Sequence, residues 1–103
     1  MQISLIPNDE NRTIHCSLGD TTLRKWSFTL YANDVLVEPF GTPSLICSNG
    51  AEVPLTIENN SLLCDCTSEL SSQAGIFDCK IKIESNNQLL YSALFKLHCE
   101  VKP

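Results

Sequence analysis

The chain has 103 residues, 43% of them apolar, with 12 acidic against 7 basic side chains and a formal net charge of −5. That length holds one domain able to bury roughly two-thirds of its unfolded surface, and the apolar share is too high for a disordered chain. The acidic balance argues against nucleic acid as a main partner, because neutralising phosphates takes clustered Lys and Arg.

The start, Met1 to Pro7, has no basic region, long apolar stretch or small-residue cleavage site. No signal peptide is expected, and no run nears the ~18 apolar residues of a membrane span. Folding in a cytosol, with no membrane partner, is therefore the expectation. The segment Gln2, Ile3, Ser4, Leu5, Ile6 is short, apolar and followed by Pro7-Asn8-Asp9. It is a candidate docking strand, since an unpaired strand offers backbone groups to a neighbour. A terminal strand tied into its own sheet reads equally well.

Beyond it the dominant period is two, the mark of strands with one buried face. Asn11–Leu18 is the next candidate, followed by Arg24–Leu30, where Trp26, Phe28 and Leu30 share one side and Lys25, Ser27 and Thr29 the other. Shorter candidates are Ser44–Ser48, Glu52–Ile57 and Ser61–Cys66, with Pro54 marking a sheet edge. Thr67–Ala74 is the one helical candidate, a single turn capped by Ser68 and ended at Gly75. Gly75–Ser85 and Leu89–Val101 are the longest strands expected. Gly19-Asp20, Asn33-Asp34, Phe40-Gly41-Thr42-Pro43, Ser48-Asn49-Gly50, Asn59-Asn60 and Asn86-Asn87 supply the turns. Strands at this spacing predict one all-β domain over residues 1–103, an immunoglobulin-like antiparallel β-sandwich of about seven to eight strands. Its expected core is Trp26, Phe28, Leu30, Phe77, Ile81, Ile83, Phe95 and Leu97.

Six cysteines follow the same alternation. Cys79 shares a face with Phe77, Ile81 and Ile83; Cys99 with Phe95, Leu97 and Val101; Cys16 with Ile14 and Leu18. Free cysteine packs as a small hydrophobe, so reduced core thiols are expected, with one or two disulfides compatible with the same positions. Cys64-Asp65-Cys66 lacks the second half of a zinc site and reads as two residues on one strand face. His15 and His98 fall on polar faces, opposite their neighbours Cys16 and Cys99, and nothing local pairs thiol with imidazole for nucleophilic work. The carboxylates are scattered, and the 4 glycines form no phosphate-binding pattern. Asn11-Arg12-Thr13 and Asn59-Asn60-Ser61 fit the glycosylation pattern, taken as chance matches in a chain without a signal peptide. No enzyme, metal site or cofactor is expected.

Three stretches carry a likeness. They are Ile14-His15-Cys16-Ser17-Leu18-Gly19-Asp20-Thr21-Thr22-Leu23-Arg24-Lys25-Trp26, then Thr67-Ser68-Glu69-Leu70-Ser71-Ser72-Gln73-Ala74-Gly75-Ile76-Phe77-Asp78-Cys79, then Leu90-Tyr91-Ser92-Ala93-Leu94-Phe95-Lys96-Leu97. Over residues 11–101 the chain resembles the N-terminal domain family of phage baseplate upper proteins, from phages of Gram-positive bacteria. The resemblance implies a compact β-sandwich that anchors a fibre or baseplate arm to the virion, assembled in the host cytoplasm. With Pro103 following the last strand, the expectation is a truncated anchor or a freestanding capsid decoration protein or head-fibre base. Partners would be capsid or baseplate proteins, and the chain could form a homo-oligomer. Two other readings stay open, a small phage-encoded intracellular binder or inhibitor of a host protein, and an extracellular immunoglobulin-like adhesion domain.

Overall fold

Pairs of small polar residues in the left-handed region set the hairpins of this chain. In the computed structural model, which describes residues 1–21 and 23–101, Asn33-Asp34, Asn59-Asn60 and Asn86-Asn87 all have φ between 49° and 64°. Two consecutive positive φ values make the tight turn whose twist matches the flanking strands. These turns join β3 (Lys25–Ala32) to β4 (Val35–Val37), β7 (Thr56–Glu58) to β8 (Ser61–Asp65), and β9 (Gly75–Ser85) to β10 (Gln88–Tyr91). The other strands are β1 (Gln2–Ser4), β2 (Ile14–Ser17), β5 (Thr42–Cys47), β6 (Glu52–Pro54) and β11 (Phe95–Glu100). One sheet has the order β1-β3-β8-β7 with β4 also on β3; the other runs β2-β11-β9-β5-β6 with β10 also on β9.

The all-β, sandwich-like class expected from the sequence is what the strands build, but in finer pieces and with mixed sheets. Among the described residues eleven strands replace the expected seven to eight. The antiparallel expectation is corrected at two places, since β1 runs parallel to β3 and β2 parallel to β11. Glu52–Ile57 is two strands, because Leu55 leaves one sheet for the other. Its N–H donates to the Pro43 carbonyl at 3.0 Å, and the chain then pairs with β8. Pro54 ends β6, the outer strand of its sheet, where a missing N–H is tolerated. Leu89–Val101 also divides. Between the pairs Tyr91↔Lys82 and Phe95↔Cys79, three residues (92–94) oppose two (80–81). The extra residue makes a bulge that bends the strand. The Ser92 hydroxyl accepts from the Ile81 N–H at 2.9 Å, filling the gap in the ladder.

No helix occurs among the described residues, so none is long and apolar enough to cross a membrane. The expected helical turn at Thr67–Ala74 is a run of turns. Thr67, not Ser68, accepts the capping bond from the Leu70 N–H at 3.3 Å. So short a segment cannot repay helix nucleation, and it is held instead by fully buried Leu70 and by the Ser71 hydroxyl on the Asp20 carbonyl at 2.6 Å.

Between the sheets Phe28, Leu30, Ile81, Ile83, Phe95 and Leu97 are buried as expected, joined by Ile3, Leu45, Leu62 and Leu70. Trp26 and Phe77 pack against this core from partly buried positions. Leu18 and Val101, expected inside, lie past the ends of their strands and are exposed. Gly41, with φ +65°, lies so close to Glu84 that an added Cβ would fall 2.4 Å from its carbonyl oxygen, so only glycine fits that entry to β5.

All six cysteines are free and buried. Cys16 stands opposite Cys99, and Cys47 opposite Cys79. Burial raises Cys16 and pushes the Cys64 thiol up to about 12. Cys47 moves the other way, to about 7, because the Cys79 thiol hydrogen-bonds to it, assisted by the backbone at Asn49 and Ser48. The thiolate is the reactive form. Iodoacetamide at pH 8 is therefore expected to label Cys47 before Cys16 and Cys64, whose thiols burial holds protonated. Peptide mass mapping checks the order, and earlier labelling of Cys64 or Cys16 would contradict it.

Candidate functional site

The N-terminal segment was the one site candidate in the sequence, and the structure places it inside the fold. The Met1 ammonium donates to the Ser27 carbonyl at 2.9 Å, the Thr29 N–H to Met1 at 2.9 Å, and the Leu5 N–H to Tyr31 at 2.7 Å. Gln2, Ile3 and Ser4 thus form a rung-by-rung edge with Thr29, Leu30 and Tyr31. Ile3 is fully buried, Leu5 nearly so and Ile6 partly. The outward groups of Ser4 are taken as well. Its N–H donates to Asn11 Oδ1 at 3.0 Å, and its carbonyl accepts from the Ala93 N–H at 2.9 Å. Segment Gln2–Ile6 is therefore not a detached arm. The bulge after β10 carries the chain across to this edge, and the Asn11 amide closes it by donating to the Ala93 carbonyl at 3.3 Å.

Open edges lie elsewhere. Every residue of β10 is exposed, and among the described residues this strand pairs only with β9. Leu89 is 56% exposed, Leu90 39% and Tyr91 39%, so an apolar rim borders free backbone. Lys80 Nζ lies over the Tyr91 ring, 4.3 Å from its centre, within cation–π range. Val35 and Leu36 on β4 form a second, smaller apolar edge. The sequence reading missed both because it merged β10 into a longer buried strand and left β4 unassigned.

The outer face of the six-stranded sheet is charged and paired. Lys82 Nζ contacts Glu52 at 2.6 Å and Glu84 at 3.4 Å, which holds the Glu52 carboxyl below its usual range and raises Lys82. Lys96 pairs with Asp78 on this face, and in the connection from β2 to β3 Arg24 pairs with Asp20. Farther along this face, His15 on β2 and His98 on β11 lie side by side, ring centres 5.5 Å apart. Both Nδ1 atoms approach one oxygen of Glu100, at 3.4 and 3.5 Å. These are the residues whose chemistry suits a metal ion. The sequence placed both histidines on polar faces, as the structure does, without bringing them together. The signal was present in the repeated apolar-His-Cys pattern of Ile14-His15-Cys16 and Leu97-His98-Cys99. Cys64 and Cys66 face the core, fully buried. An open, polar groove lies beside β1, lined in part by Asp9, Glu10, Arg12 and Asp34. Ser4 Oγ donates to Asp9 at 2.6 Å there.

Compared with protein-family models the chain matches none, and no curated protein is significantly similar to it.

Proposed function

We propose that this chain is a non-enzymatic docking module, a structural component of a phage virion that binds other virion proteins as a capsid decoration protein, head-fibre base or baseplate anchor. The apolar edge of β10 carries the docking part. Leu89, Leu90 and Tyr91 are exposed along a strand with one side unpaired among the described residues, and such an edge invites pairing with another chain. The virion part is supported by the likeness of the three stretches quoted above, an argument from resemblance. An immunoglobulin-like connectivity belongs to the same proposal. The orders β1-β3-β8-β7 and β2-β11-β9-β5-β6 parallel the two-sheet arrangement of that fold, while the parallel β1–β3 pair departs from it.

Mass spectrometry of purified particles tests the reading. The chain is expected in them, with copies on the order of hundreds for decoration and tens for a baseplate position, as particle symmetry multiplies each. Leu89→Lys should lower incorporation roughly 30-fold, the effect of losing a central anchor. Its cross-strand partner Glu84 would keep the hairpin paired, so the melting temperature should hold. Particles without the chain, or a chain found only on a host protein, would overturn the virion reading.

A further inference from the structure

The sheet brings two versions of one short pattern into register. Ile14-His15-Cys16-Ser17 and Leu97-His98-Cys99-Glu100 run parallel, with His15 beside His98 and Cys16 beside Cys99. Successive side chains of a strand point to opposite faces. Both thiols therefore enter the core, and both imidazoles stand on the outer face, with side chains 56% and 38% exposed. Glu100, two residues beyond His98, shares that face.

We infer that His15, His98 and Glu100 form a binding site for a divalent first-row transition-metal ion of the zinc type. The three ligand atoms lie within 4.8 Å of one another. The two Nδ1-to-Oε1 distances, 3.4 and 3.5 Å, are long for an N–H···O hydrogen bond, which spans about 2.7–3.2 Å. They match the separation of about 3.4 Å between neighbouring ligands of a tetrahedral ion bound at roughly 2.0–2.1 Å. Two imidazoles and one carboxylate suit zinc, nickel or copper, whereas calcium and magnesium prefer all-oxygen sets. Rigidity favours the site, because both histidines are mid-strand residues of one ladder and need no loop to close. The nearest cation on the same face of β11, Lys96, is paired with Asp78 and adds little repulsion. Three protein ligands leave a coordination position for water. The inference is independent of the docking reading, since it rests on the opposite end of the strand β11 from the β10 edge.

Calorimetric titration of the reduced full chain with zinc alone tests it. One ion per chain is expected. His15→Gln with His98→Gln, and separately Glu100→Gln, should each weaken binding at least about tenfold. All three side chains are partly exposed, so the metal-free melting temperature should not change. Cobalt provides the second readout. Absorption without thiolate-to-metal charge transfer is expected, because the six thiols are buried on the other side of the strands. No binding, binding kept in the double histidine variant, equal binding of calcium, or a thiolate band would each overturn the site.

Discussion

Replacing Phe28 or Phe95 with alanine is expected to remove about 3–5 kcal/mol of stability. The two rings meet across the core from opposite sheets, centroids 5.7 Å apart and planes tilted by 49°, and both are buried. Each variant therefore opens a cavity against a wall that β-sheet backbone cannot collapse to fill. A domain of this size has about 5–15 kcal/mol in total, so the loss should lower the melting temperature by on the order of 15–30 °C. Urea titrations of both variants give the measurement. Ile57→Ala is the control, since Ile57 is 43% exposed on β7 and its truncation should cost within about 0.5 kcal/mol. Equal costs at Phe28 and Ile57 would mean that the strand faces are assigned wrongly.

Deleting residues 1–7 should be more damaging still. It takes away Ile3 and Leu5, each worth about 2–5 kcal/mol as a buried aliphatic side chain. It also removes the hydrogen bonds that Met1 and Leu5 make to β3 and leaves Leu30 beside an open edge. The summed loss, on the order of 5 kcal/mol or more, approaches the stability of the whole domain. Loss of near-ultraviolet circular dichroism at 37 °C is the expected result. Ile3→Ala alone is the graded version, expected to fold with a clearly lower melting point. An unchanged melting temperature in the deletion would show that the segment contributes nothing to the fold, and would return it to consideration as a docking arm.

These two results would also separate fold from interface. The sequence offered Gln2–Ile6 as a docking strand because it is apolar and followed by Pro7-Asn8-Asp9. Those same properties suit an edge strand, and the difference lies in where its outward groups go. Asn11 and Ala93 occupy them, and Ala93 is more than eighty residues away in sequence. Docking is better sought at β10, whose outer edge has no such cover among the described residues.

Local chemistry by itself determined the class of this protein. Alternation assigned the inward face of Phe28, Leu30, Ile81, Ile83, Phe95 and Leu97, because side-chain direction in a strand repeats every two residues whatever lies alongside. Asn33-Asp34, Asn59-Asn60 and Asn86-Asn87 marked three hairpins for an equally local reason, the tolerance of Asn and Asp for positive φ. Only the tertiary structure decided which strand lies beside which. Backbone hydrogen bonds between strands carry no residue code, so nothing in Asn11–Leu18 declares that it will run parallel to the last strand. Period two is also blind to a single extra residue, and the bulge at residues 92–94 is what turns one expected strand into β11, with one face buried, and the exposed β10. The meeting of His15 with His98 and Glu100 follows from that long-range pairing, since a polar residue of β2 becomes the neighbour of two on β11 only when register and direction are set by the packed core.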